Sequence, residues 1–441
     1  MSIQKTKAEE AISTQFVAVA GQLPGIDAVA RSRKHAIAAF NKDGLPHRRI
    51  EAWKYTDLRV AMKSAFEPAV NLGISNHTDW QAIAEVLGPF ADLDVARVVL
   101  VDGVYVPELS AVEILGGDVQ IMPLAAALSD ECFADMHVRP PRIEQDHAIA
   151  ELNTAFMTDG AAVQISQSTS KPLHIINVAR GTDERMIATR NVISVGDDVE
   201  ATIIESFVAL GSAATQTNAL THIAVGERSH VHHIKVQEEA MASTHLSTWI
   251  VEVSGEANYR GFQFSTGAAL SRNQISVSYG GEGGKVDISG AYLLADRQHC
   301  DTTLVVEHPV PNCESRELFK AVLDDEARGV FQGKVIVRAE AQKTDGKQMA
   351  QALMLSEACE FDSKPELEIY ADDVVCGHGA TCAEIDPDLV FYCRSRGIPE
   401  DQARGLIIQS FIAEAIAKVE DPAIADVLSA RANSWLERDR T

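Results

Sequence analysis

From about Ala161 to Val337 the chain is a succession of short β-rich runs, among them LHIINVA, EATIIESFV, HVHHIKV, STWIVEV, NQISVSY and KVDISGAYLL, with few helical interruptions. A stretch of that length made of strands must build an all-β body. Val195-Gly-Asp-Asp198, Val225-Gly-Glu-Arg228 and Val253-Ser-Gly-Glu256 each close one run with a glycine and an acid and open the next, about 28 to 30 residues apart. Self-similarity at such a period is what stacked coils of a β-solenoid produce. A sandwich also shows regular turn signals, so the period alone leaves solenoid and sandwich both open.

The flanks read differently. Residues 6 to 40 carry two helical patterns, one through Ala11, Phe16 and Val17 and one through Ile26, Val29, Ile37 and Phe40, divided at Gly25 and closed by Gly44-Leu-Pro46. Around Asp102-Gly103 the run VVLVDGVYVPEL predicts a hairpin. Pro140-Pro141 marks a region boundary. After Pro399, Ile408, Phe411, Ile412, Ala415, Ile416 and Val419 recur at helical spacing, and Asp421-Pro422 opens a second helix with Ile424, Val427, Leu428 and Trp435 on its apolar side. Such terminal helices either cover the end of the β-body or dock a partner.

Composition narrows the class. The net charge of −24 excludes nucleic acid and anionic membrane as main partners, since both require a cationic surface. The leading MSIQKTKAEEAIS has no apolar run, and no 18-residue apolar stretch is present to span a bilayer. Seven cysteines without a CxxC pair argue for reduced thiols rather than a disulfide framework, and a cytoplasmic location is expected. Gly280-Gly-Glu-Gly-Gly284-Lys285 lacks the spacing and the hydroxyl residue of a Walker A loop, so no ATP site is expected on this chain.

Candidate chemistry concentrates in Pro365 to Ile398, where Leu367, Ile369 and Val374 read as strand and Cys376-Gly-His378-Gly reads as a glycine-framed turn. Thiolate plus imidazole suits zinc, iron or an iron–sulfur species. The competing reading is a small buried thiol beside a satisfied histidine. Cys359 is a further thiol that a stacked neighbour would bring near Cys376, or an inert buried one. Cys382 and Cys393 fall at spacings unlike zinc-ribbon or ferredoxin patterns. His230, His232 and His233 form a second imidazole group without a carboxylate or thiol close in sequence. The apolar run Leu389-Val-Phe391-Tyr392 reads as an edge that another subunit covers.

Asp372-Asp-Val-Val-Cys376-Gly-His378-Gly-Ala-Thr381 followed by Phe391-Tyr-Cys-Arg-Ser-Arg396-Gly-Ile398 resembles the C-terminal signature of the SufB/SufD family of iron–sulfur cluster assembly proteins. Arg48-Arg-Ile-Glu51-Ala-Trp53-Lys54-Tyr55-Thr56-Asp57 resembles the N-terminal signature of the SufD branch, over three hundred positions earlier and in the family's order. The resemblance implies a right-handed parallel β-helix core flanked by helical regions, with boundaries near 1–155, 156–375 and 376–441. It implies a non-catalytic scaffold subunit, with partners a SufB-like subunit and a SufC-like ATPase, and a homodimer when the chain is alone. His378, with Cys376 beside it, falls on the family's cluster-assembly position, where iron or a transient cluster shared with SufB is held. Cys359 stands where SufB proteins carry a cysteine and SufD proteins generally do not. Ile408, Phe411, Ile412 and Trp435 lie in the helical part that docks the ATPase, and flavin binding to the complex is left open. Two alternatives are a SufB-like cluster-bearing scaffold and a stand-alone β-helical metal enzyme. The first needs a reactive cysteine inside the β-body, and none occurs from Ala161 to His299.

Overall fold

In the computed structural model, which describes residues 5–70, 78–115, 119–137 and 148–438, the β-rich runs stack as a parallel solenoid of about seven turns with helices at both ends. Successive strands alternate between two ten-stranded sheets, from Ala161–Ile165 to Val375–Glu384. Each strand pairs in parallel with the one two places on, residue opposite residue, as in His230–Glu238 against Glu200–Ala209 and Asn258–Ser265. Alternate side chains therefore line one interior. Ile203, Val231, Tyr259 and Val286 point inward from the second sheet, facing Ile223, Trp249, Val251 and Ile275 from the first. The sequence runs also miss two strands, Glu314–Leu323 and Asp345–Met354.

The acid-glycine turns are the corners of the coils. Asp198, Arg228 and Glu256, each ending one of the three repeated motifs, take φ of 56°, 55° and 55°, the left-handed region that lets a chain reverse sharply. Corners stack as tightly as strands do: a Cβ on Gly226 would stand 2.4 Å from the backbone of Gly196. Asp198 and Arg228 join successive corners by paired hydrogen bonds of 2.8 Å.

Not all of the interior is apolar. His233 bonds Glu205 at 2.8 Å and the Tyr259 hydroxyl at 2.9 Å, and Lys235 donates to Asn273 at 2.8 Å, all fully inside the coil. Burial pulls the Lys235 ammonium down to about 7. Of the imidazole group read from the sequence, His233 is thus a satisfied core residue, while His230 and His232 lie on the other face of the strand, His230 exposed and His232 buried.

Helices Lys7–Val19 and Asp27–Asp43 form where the periodicity places them, the first opened by a Thr6–Glu9 capping box, with Gly25 between and Gly44 after. The hairpin is also present, Ala96–Val101 pairing antiparallel with Val104–Tyr105 through Asp102 and Gly103, both at positive φ. Pro140 and Pro141 lie outside the described residues. Among the described residues no helix is long and apolar enough to cross a membrane.

The segment Glu51–Asp57 lies across the outer face of the first sheet. Trp53 is fully buried with the Arg272 guanidinium 4.6 Å above its ring, so its arginine partner comes from the β-body and not from Arg48 or Arg49. Arg272 pairs with buried Asp301 and donates to the Ala52 carbonyl at 2.8 Å, while the Thr56 hydroxyl reaches Asp301 at 2.5 Å. Farther along, Glu51 meets Lys364 on the last strand of this sheet at 2.5 Å. One short segment therefore spans several coils. Arg272→Ala is expected to destabilise the chain by about 3–5 kcal/mol, because it strands the Asp301 charge, and Trp53→Ala by a similar amount. Lys364→Ala, at a pair whose acid is exposed, should change stability by at most about 1 kcal/mol in the same denaturant titrations.

Candidate functional site

The last strand, Val375–Glu384, pairs with Asp345–Met354 and, among the described residues, with no other strand. Its counterpart Glu360–Ile369 is likewise the outermost strand of the first sheet. Cys376 and His378 lie inside this strand, not in a turn. The chain reverses earlier, at residues 370–374, and Val374 belongs to that corner. Glycines at 377 and 379 have little strand propensity of their own, but the ladder from Asp345–Met354 supplies the hydrogen bonds that fix them extended.

Alternation then sorts the side chains. Cys376, His378 and Cys382 stand opposite Gly346, Gln348 and Ala352, which are the inward positions of the neighbouring strand. Gly346 leaves room for the thiol, since a Cβ there would be 3.6 Å from Cys376 Sγ. Cys376 packs at the edge of Val335, Val337 and Ala341, and burial pushes its thiol up. His378 is exposed at the open end of the coil. Gly377 and Gly379 face the other way, into an outer cavity of about 520 Å³ whose far wall is Glu414 and Lys418. Among the described residues no group of three or more His, Cys, Asp or Glu is gathered to hold a metal. The site is therefore two donors, one sulfur and one nitrogen, on a strand whose other edge is free.

Behind His378 the same inward column continues through Gln348 to Glu317. Glu317 is 3% exposed, and neither carboxyl oxygen has a hydrogen-bond partner among the described residues; nor has Gln348 Oε1. Burial pushes the Glu317 carboxyl up to about 8. Sequence reasoning missed both residues, because their alignment with His378 appears only once the coil register is known.

Cys359 is buried at a corner, its Sγ 3.2 Å from the Ser356 carbonyl and 3.8 Å from Met354 Sδ. The corner at 370–374 reverses the chain, so the start of Glu360–Ile369 faces the end of Val375–Glu384. Cys359 is accordingly the neighbour of Cys382, whose thiol it helps burial to raise. Cys376 is six residues along the strand, about 20 Å away at ~3.3 Å per residue, so the expected approach of Cys359 to Cys376 does not occur.

The C-terminal helices Glu400–Ile416 and Pro422–Leu436 form as read, the second capped by Asp421. Their apolar faces are turned inward: Ile408 and Ile412 are buried in one cluster with Phe262, Leu293 and Val322 of the second sheet, and Phe411 and Trp435 pack against it. Lys418–Asp287, Arg260–Glu420 and Arg431–Glu238, at 2.9, 2.9 and 2.6 Å, tie the helices down. These four apolar residues are thus committed to the chain's own core, which leaves the opposite side, with Leu406 exposed, for any partner. Leu389, Phe391 and Tyr392 are exposed as the sequence suggested. They sit on helix Pro387–Ser395, opened by Asp386 and Pro387, rather than on a strand edge.

Two measurements follow from this geometry. At neutral pH a maleimide should label exposed Cys132 and Cys382 first and Cys376 and Cys393 more slowly, with Cys300, Cys313 and Cys359 protected until denaturant is added; mass mapping reads the order. Folded Glu317 keeps its proton to about 8 and the unfolded residue only to its ordinary 4.5. The folded state thus binds more protons between those values and loses stability as pH rises through them. The thermal midpoint of Glu317→Gln should fall less between pH 5 and pH 8.5 than that of the unmodified chain.

Residues 23–175 match the model of the SufBD protein N-terminal region, and residues 175–411 that of the SUF system FeS cluster assembly SufBD core domain. The iron-sulfur cluster assembly protein SufD of Escherichia coli is 33% identical over 88% of this chain and 89% of its own length. A SufBD family protein of Synechocystis is 31% identical over 85% of this chain and 84% of its own, and the chloroplastic protein ABCI7 of Arabidopsis thaliana is 26% identical over 86% and 80%. With the solenoid, the terminal helices and the Cys376–His378 strand in place, the chain belongs to the SufBD family of iron–sulfur cluster assembly proteins and is SufD-like within it.

Proposed function

We propose that this chain is a non-catalytic scaffold subunit that works with a SufB-like subunit and a SufC-like ATPase, in the cytoplasm, and that its open solenoid end takes part in building a nascent iron–sulfur cluster. One observation carries the reading. Cys376 and His378 share a face of a strand whose outer edge is unpaired, so a second β-edge laid against it would bring its own ligands to the same donors. In the complex that edge belongs to SufB, and in its absence to a second copy of this chain. Neutral imidazole and thiolate are both competent iron ligands, and two donors from one subunit leave coordination positions for the other.

The ATPase would act from the C-terminal helices. Gly280–Lys285 lies at a solenoid corner, and Lys285 starts the next strand paired with Glu314 at 3.2 Å, so nothing there supports nucleotide binding by this chain. Helix Glu400–Ile416 is joined by Lys320–Glu414 and Lys418–Asp287 to the same sheet that ends in Val375–Glu384. A pull on the exposed side of these helices would thus reach the edge strand through the sheet.

In complexes co-expressed with SufB-like and SufC-like partners, His378→Ala should lower iron and acid-labile sulfide several-fold at unchanged subunit stoichiometry. His230→Ala, at an exposed position, should leave both near normal. His233 is no control, because its removal breaks the buried bonds to Glu205 and Tyr259. Equal cluster content in the His378→Ala and unmodified complexes would refute the assignment.

A further inference from the structure

The column behind His378 contains more than the two-donor site needs. Glu317, Gln348 and His378 lie on successive strands in exact register, all pointing into the coil. The Gln348 amide donates to the Glu366 carbonyl at 3.2 Å, which orients its Oε1 over Gly333, where a Cβ would come within 2.1 Å. Gly333 thus makes space for this oxygen. Together with the two Glu317 oxygens, three buried acceptors in one column accept no hydrogen bond among the described residues.

The neighbouring donors are engaged elsewhere. Arg316 points outward, to Asp345 at 2.6 Å and to the Ser315 carbonyl at 2.7 Å. The Ser315 hydroxyl, beside Glu317 on the inward face, is bonded to His308 at 3.2 Å and eases the burial of the carboxyl without a well-formed hydrogen bond to it. Burying a carboxyl in this state is costly, and native interiors keep few such groups without a partner. A cation that displaces the carboxyl proton would give these oxygens the partner they lack.

Neighbouring strands of a sheet are about 4.8 Å apart, close to twice the ~2 Å bond of a first-row divalent ion to oxygen or nitrogen. An ion held between two levels of the column reaches ligands on both. We propose that Glu317 and Gln348 form an inner divalent-cation site behind His378, which receives an iron-type ion entering through the open end of the solenoid. Carboxylate and amide oxygen on adjacent levels suit a borderline-hard divalent ion, and the His378 imidazole is the next group outward on its path; the thiol of Cys376 lies one inward position from that imidazole, where sulfur enters the chemistry. The inference rests on the reading of the open end as the assembly site and adds the residues that load it.

Cobalt(II), titrated into the purified full-length chain and followed by its visible absorption and by calorimetry, tests this directly. One ion per chain is expected, with affinity falling at least tenfold in Glu317→Gln and in Gln348→Leu, while His230→Ala, at an exposed position on the other face of its strand, stays within about twofold. Glu317→Gln keeps the side-chain shape and cannot ionise, so its thermal midpoint should be no lower than that of the unmodified chain, and loss of binding will not reflect unfolding. Unchanged affinity in Glu317→Gln, or no uptake by the unmodified chain, overturns the proposal. The two readings fail separately. Normal cobalt binding in Glu317→Gln with cluster loss in His378→Ala removes only the inner site; lost cobalt binding with normal cluster in His378→Ala removes only the assembly role.

Discussion

The parallel, in-register ladder between successive coils is the constraint from which the rest of this structure follows. Within the stack a strand takes its ladder from the strands two places before and after it, so conformation is imposed by position in the stack. The ladder holds Cys376-Gly-His378-Gly extended, sorts thiol and imidazole inward and glycines outward, and lines up Glu317, Gln348 and His378. It also cannot close on itself. A solenoid ends in unpaired backbone, and in this chain the donors stand at that end.

How much of this was legible in the sequence depends on whether the signal is local. The corners were, because a left-handed residue after a glycine leaves a compositional mark: Asp198, Arg228 and Glu256 all fall in the motifs that set the period. The two long helices at each end were, through caps and spacing. The edge strand was misjudged because its sequence argues for a turn and only the neighbouring strand argues otherwise. Leu389–Tyr392 erred the other way, since β-prone residues were drawn into a helix by the Asp386-Pro387 start. The inward column behind His378 left no trace at all. Asn258, Lys285, Glu314, Asp345 and Val375 share one row at unequal separations, so no fixed period predicts which residues stack.

The apolar faces of the C-terminal helices illustrate a different limit. Periodicity correctly marked Ile408 and Ile412 as buried positions, but an apolar face does not say whether it covers the chain's own sheet or a partner. Here the second sheet supplies both the apolar surface and the charges that fix the helices on it.

The clamp at Glu51–Asp57 has a consequence for the order in which the molecule is made. Ala52 contacts Arg272, 220 residues later, and Glu51 contacts Lys364, 313 residues later. During synthesis at roughly 5–20 residues per second, Trp53 waits on the order of 10 to 45 seconds for Arg272 and Glu51 on the order of 15 to 60 seconds for Lys364. Coils can stack as they emerge, each on the last, but the leading segment completes its docking only after the mid-stack strand with Arg272 and then the strand with Lys364 have formed. Its indole emerges early and gains its Arg272 cover only when that coil arrives, so a nascent chain truncated before Arg272 would carry an incompletely covered indole as a mark of incompleteness.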